Sequence, residues 1–305
     1  MGPPATGTPA NGTPTTDADA DADAAQQLAP LLDLGGHRYD LTHRALVMGI
    51  LNRTPDSFYD KGATFELDKL YGRAEQLVAD GADILDVGGV KAGPGPEVTE
   101  PEELGRVVPV VAGLVARFDT PVSVDTWRAS VARACYAEGA LMGNDISGLA
   151  DPEYAPAAAE HDAAIVITHI RLAPRVADPD PHYDDVVADV ARFLTERADG
   201  ARAAGVPAER IVLDAGLDLG KTAEQSLTLL RTSSTLAALG YPLLLSASNK
   251  TFLGKILDLE LTERREASIG AAALGISWGC RIVRVHDVKG TCRARDALAA
   301  ISEAE

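Results

Sequence analysis

The sequence predicts a single (β/α)8 TIM barrel, and three observations carry that prediction. Short apolar runs alternate with helical patterns eight times between Leu46 and the C-terminus. Each crossover is long enough for successive runs to pair in parallel. Polar residues follow nearly every run, which suits a ring-shaped site at one end of a barrel better than the single crevice of a doubly wound open sheet.

The N-terminal region stands apart from this pattern. Residues 1–27 are rich in Pro, Gly, Thr, Ala and Asp, with Asp17, Asp19, Asp21 and Asp23 alternating with Ala. Such a stretch buries too little apolar surface to offset its ordering entropy, so a disordered tail is expected there and the barrel domain over 28–305. Residues 31–34 and 37–41 flank Gly35-Gly36, a pair suited to a two-residue turn, and read as a hairpin.

Strands are then expected over 46–51, ending at Asn52; over 84–87, ending in Gly88-Gly89; and over 121–124, ending on Asp125. The fourth lies within 141–146 and carries Asn144 and Asp145, and the fifth covers 164–167 and leads into Thr168-His169. The sixth, 211–213, is apolar and branched, as a strand covered on both faces requires, and stops at Asp214. Gly216 and Gly220 then let the loop turn sharply or approach a ligand. The seventh covers 243–245 and ends near 246–250, and the eighth covers 282–285 before His286-Asp287. Helical periodicity marks 67–78, 104–115, 129–137, 152–160, 185–204, a stretch up to Ala238, 262–278 and 293–302.

Composition narrows the function. The net charge is −17, with 45 acidic against 28 basic residues, which argues against a general nucleic-acid or anionic-membrane surface. No apolar run approaches the roughly 20 residues that span a bilayer, and no secretory signal is visible. Cys135, Cys280 and Cys292 lack metal-type spacing and read as reduced thiols of a cytoplasmic chain.

The strand-end residues are Asn52, Asp125, Asn144, Asp214, Lys250, Arg284 and His286. Two carboxylates and an Asn suit a polar heterocycle offering N–H donors. Lys250, Arg284 and His286 add positive charge on the last two strands, a quarter of such barrels that often holds phosphate. Internal pairing of Asp125 and Asp214 with Lys250 and Arg284 accounts for the same residues equally well.

These residues carry a resemblance. Met48-Gly-Ile-Leu-Asn-Arg-Thr-Pro-Asp-Ser-Phe58 is similar to the signature loop of dihydropteroate synthases. Ser123-Val-Asp-Thr126, Asn144-Asp-Ile-Ser147, Leu213-Asp-Ala-Gly216 with Gly220-Lys221, Ser248-Asn-Lys250 and Arg284-Val-His286 resemble further motifs of that family, in order. The resemblance implies a pterin held by Asp125, Asn144, Asp214 and Lys250, with Asp214 and Lys250 as the catalytic pair. It implies a pyrophosphate leaving group held by Asn52, Arg284 and His286 with Mg2+, Asn52 being the metal ligand. Lys221 and Thr251 fall on the p-aminobenzoate side, and a homodimer packed through the small residues of 268–276 is expected.

Departures from the family pattern are as informative. The usual Gly-Gly-Glu-Ser-Thr-Arg-Pro-Gly loop is here Gly88-Gly-Val-Lys-Ala-Gly-Pro-Gly95. Asp218 and Leu219 stand where Gly and Phe are usual, Asn249 where Arg is, and Thr168 where Met is. The chain therefore resembles the divergent second synthase paralogue of actinobacteria, held to lack normal synthase activity. Weak or absent synthesis of dihydropteroate is expected; an ordinary synthase and a non-enzymatic pterin or phosphate binder are the alternatives.

Overall fold

A computed structural model describes residues 31–52 and 63–302, together with Gly2. Apart from Gly2, the expected tail lies outside the described residues, as does the Arg53-to-Phe58 part of the first loop. A hairpin of β1 (Leu31–Leu34) and β2 (His37–Asp40) precedes β3 (Leu46–Asn52) and α1 (Ala63–Ala79). There follow β4 (Ile84–Gly88), α2 (Glu100–Val115), β5 (Val122–Asp125), α3 (Ala129–Ala137), β6 (Met142–Asp145) and α4 (Tyr154–Glu160). Then come β7 (Ala164–Thr168), α5 (Val186–Ala203), β8 (Ile211–Asp214), α6 (Ala223–Arg231), α7 (Ser233–Ala237) and β9 (Leu243–Leu245). The chain ends with α8 (Thr251–Leu257), α9 (Arg265–Ser277), β10 (Cys280–Val285) and α10 (Val288–Ser302). Strands β3 to β10 close into a parallel barrel, β10 pairing with both β9 and β3.

The alternation within each strand divides the core in two. Leu46, Met48, Ile84, Met142, Val166, Val212, Leu244 and Ile282 form the barrel interior. Val47, Leu51, Leu85, Val124, Ile165 and Leu213 face the helices and belong to the larger outer shell. Gly143 faces outward, where a Cβ would collide with the hydroxyls of Tyr136 and Tyr154. The hairpin closes the amino-terminal end of the barrel: Leu32, Leu34 and Leu41 are completely buried and join the interior cluster. Arg210, just before β8, holds the hairpin through Asp33 at 3.1 Å.

Three elements differ from the expectation. The helix expected to run to Ala238 breaks at Thr232, where Thr232 and Ser233 hydroxyls donate to carbonyls one turn back. The last helix starts at Val288 because Asp287 accepts the Gly290 N–H and starts the turn early. The helix α8 has no counterpart in the sequence reading. It is short and contains Gly254, so propensity argues against it, and its first amides are held by Asp218 from another loop.

Removing the hairpin's contribution to the core is the direct check. Leu32→Ala is expected to lower the unfolding free energy by about 2–5 kcal/mol in urea denaturation; a loss below about 1 kcal/mol would detach the hairpin from the cooperative core.

Candidate functional site

The register places the polar residues in one ring. Asn52 pairs with Gly88, Gly88 with Asp125, and Asp125 with Asn144, so three of the expected side chains stand at one level, on three of four neighbouring strands. Strand β8 adds Asp214 beside Thr168. Arg284 pairs with Met48, four residues before Asn52 and so deeper in the barrel. It shares the inward face with Met48 and Ile282, and its side chain passes β3 inside the barrel to reach β4 and β5. Nε donates to Asp86 Oδ2 at 2.6 Å and Nη2 to Asp125 Oδ2 at 2.7 Å.

Asp86 is a functional-looking residue that the sequence reading missed. It is fully buried and also accepts from Ser123 Oγ at 2.7 Å and from Asn144 Nδ2 at 3.2 Å. One carboxylate thus fixes the orientation of both Arg284 and Asn144. The internal ion pairing considered for Asp125 is present, through Arg284, but Asp214 is held otherwise. Its Oδ1 accepts the Gly216 N–H at 2.8 Å, and Lys250 Nζ donates to the Leu217 carbonyl at 3.2 Å. The loop can take this path because Gly216 sits at φ +66°, where a Cβ would strike the His169 carbonyl.

Burial sets the charges. It pushes Asp125 up to about 7 against the pull of Arg284, and raises Asp214 as well. Burial works against the Arg284 charge too, but Asp86 and Asp125 outweigh it and raise that pKa. Lys250 is lowered by burial, opposed by Asp218 and Asp214. His286 is pushed down to about 4 by desolvation of its ring and the neighbouring Arg284, which favours the neutral imidazole at pH 7 over the cation expected from sequence. Its Nδ1 lies 3.0 Å from Ser248 Oγ.

Lys221 is not at an open surface. Its Nζ is 2.9 Å from His169 Nδ1 and donates to the carbonyls of Gly216 at 2.9 Å and Leu219 at 3.1 Å. Burial brings Lys221 down to about 7, and burial with Lys221 brings His169 down to about 3. This pair ties the β8–α6 loop to β7. Thr251 opens α8, its N–H bonded to Asp218 Oδ2 at 2.5 Å. The second loop leans on the β7–α5 loop: Arg175 N donates to the Ala92 carbonyl at 3.1 Å and Arg175 Nη2 to the Pro96 carbonyl. Thr168 Oγ1 is buried and has no hydrogen-bond partner among the described residues.

A family model described as pterin binding enzyme matches residues 48–286. A dihydropteroate synthase of Synechocystis is 43% identical over 275 residues, which is 88% of this chain and 95% of that protein. The chain belongs to the dihydropteroate synthase family. A Mycobacterium leprae relative named inactive dihydropteroate synthase 2 is 44% identical over 264 residues, 85% of this chain and 91% of its own. The Xanthomonas albilineans dihydropteroate synthase structure with 4-aminobenzoic acid superposes with a TM-score of 0.84 at 38% identity, covering 91% of this chain and all of that one. Relatives of equal similarity thus bear both the synthase and the inactive-synthase name.

Two imidazoles with lowered pKa, the buried His169 and the more open His286, give a pH signature. The unfolded chain takes up protons on them below about pH 6.5, whereas the folded chain holds off until about 4 for His286 and about 3 for His169. Both therefore draw stability down as pH falls from 6.5 towards 4. Nitrogen-15 imidazole spectra at about pH 5.5 are expected to show both neutral; a protonated His169 there would contradict its buried geometry, and a protonated His286 would contradict the influence of Arg284 on it.

Proposed function

We propose that this protein binds 6-hydroxymethyl-7,8-dihydropterin pyrophosphate and condenses it with p-aminobenzoate weakly or not at all. The observation that supports this most is the contrast between floor and rim. The ring of Asp125, Asn144, Asp214, Lys250 and Arg284 is assembled, with Asp125, Asn144 and Arg284 cross-linked through Asp86 and Arg284. The rim loop instead presents Val90, Lys91, Ala92 and Gly93 where the family carries an acid, two hydroxyls and a guanidinium.

In this reading the heterocycle donates to Asp125 and Asp214, and Asn144, held by Asp86, offers its amide. Lys250 contacts the ring edge beside Asp214. Reaction breaks the C–O bond to pyrophosphate and leaves positive charge on the pterin methylene. The Asp214 carboxylate stabilises that charge because it is already fixed by the Gly216 amide and needs no reorganisation. Two N–H groups of Arg284 are engaged internally, leaving the rest of its fork for the departing phosphates. His286 assists as a neutral hydrogen-bonding group. The amine nitrogen then forms the new C–N bond and releases its proton to solvent.

The residues present fit a magnesium ion brought in with the substrate. Mg2+ favours hard oxygen ligands and is commonly held by one or two protein groups plus phosphate oxygens. Asn52 offers its amide oxygen at an exposed strand end, and a Cβ on neighbouring Gly88 would lie 3.3 Å from it and 3.5 Å from Asp125 Oδ2, so the backbone there is left bare. When bound, the metal supplies charge neutralisation for the leaving pyrophosphate. The reading also includes a cytoplasmic homodimer. Its supporting feature is the outer face of α6 and α9, where Leu227 and Leu274 are exposed around a cavity of about 400 Å3.

Two measurements test the proposal. Asp214→Asn replaces an acceptor of charge-assisted bonds and is expected to weaken pterin pyrophosphate binding roughly ten- to hundredfold in calorimetry; unchanged affinity would remove Asp214 from the site. Expression in a synthase-null bacterium on folate-free medium is expected to give little or no growth. Robust growth at ordinary expression would make the protein an ordinary synthase.

A further inference from the structure

The β8–α6 loop carries a left-handed residue that is not glycine. Asp218 has φ +65°, a conformation unfavourable for a residue with a Cβ, at a position where the family usually has Gly. Its side chain offers a reason. Oδ2 accepts the Thr251 N–H at 2.5 Å, and both oxygens lie 3.2 Å from the Phe252 N. The carboxylate is thereby locked beside Thr251, and the bonds it makes are to neutral amides.

Asp218 also lines a cavity of about 250 Å3 with Gly93, Pro94, Leu219, Lys221 and Asp178. These are the loops that resemblance assigns to the p-aminobenzoate side. The basic groups lining the cavity are already engaged. Lys221 Nζ is bound to His169 and the carbonyls of Gly216 and Leu219, and Arg175 Nη2 to the Pro96 carbonyl. Asp178 is gripped by Arg171 through Nε and Nη2. Lys250 senses Asp218 but donates to Leu217. An incoming carboxylate therefore meets a fixed negative charge and finds backbone donors beside Thr251 already taken.

We propose that Asp218 sets the second-substrate class of this site: an amine without a carboxylate group, neutral or cationic, in place of an aminobenzoate. The inference rests on the pterin reading given above. The bond changes are the same: the amine nitrogen attacks the pterin methylene, the C–O bond to pyrophosphate breaks, and the amine proton leaves to solvent. Selection arises from repulsion of the wrong charge in a confined cleft, where like charges are costly.

Calorimetry on the full chain tests this, in the presence of 6-hydroxymethylpterin and inorganic pyrophosphate. The native chain is expected to bind 4-aminobenzamide at least about tenfold more tightly than 4-aminobenzoate. Asp218→Gly relieves the left-handed strain and removes the charge, and it is expected to erase or reverse that preference. Asp218→Asn keeps an oxygen for the α8 amides, so it preserves the local fold where the glycine variant loosens it, and it is expected to shift the ratio in the same direction. A native chain that prefers the benzoate, or an unmoved ratio in the variants alongside normal pterin uptake, overturns this proposal alone. No pterin uptake by the native chain overturns both this proposal and the pterin reading.

Discussion

The mouth of the barrel depends on one buried ion cluster. Arg284 on β10 bridges Asp86 on β4 and Asp125 on β5 across the intervening β3. Charges placed this deep are tolerable only while paired, and losing one partner of such a cluster typically costs about 3–5 kcal/mol. The cluster therefore does two things. It makes the closing strand electrostatically dependent on the early strands, and it holds a carboxylate, an amide and a guanidinium in fixed relative positions. A site needing several polar groups at one level gains more from such cross-linking than from any single strong bond.

A second set of contacts fixes the rim. Lys221 binds the β8–α6 loop to His169 at the end of β7, Asp218 binds the same loop to α8, and Arg175 binds the β7–α5 loop to the second loop. Four connections, those after β4, β7, β8 and β9, are thus joined by bonds within the protein. Their donors and acceptors are spent on one another. The floor keeps polar groups turned into the barrel, and the rim turns its polar groups into the protein.

Much of this was legible from sequence, and the exceptions have physical causes. The strand ends were readable because apolar runs stop at Asp125, Asn144 and Asp214, and the register brings them together. Asp86 escaped notice because it lies inside the run Ile84-Leu-Asp-Val87, where a single acid reads as an interruption; its partners come from strands far along the chain. Its place two residues after inward-facing Ile84, and so on the same inward face, was the available signal. Helix α8 escaped because its amides are held by a residue 33 positions away, which no local capping rule can reveal. The charge of His286 was misjudged because burial and Arg284 act on it only in the folded state.

The hairpin has a consequence for traffic through the molecule. Leu32, Leu34 and Leu41 stopper the amino-terminal end of a barrel whose axis is already filled by Met48, Met142, Val166 and Ile282. The barrel is a blind well with one opening. Anything that reaches the depth of Asp214 passes the rim loops on the way in and again on the way out. Where two molecules occupy the well together, the deeper must arrive first, and the shallower must depart before the deeper can follow. Compulsory order in time is thus written into the shape of the container.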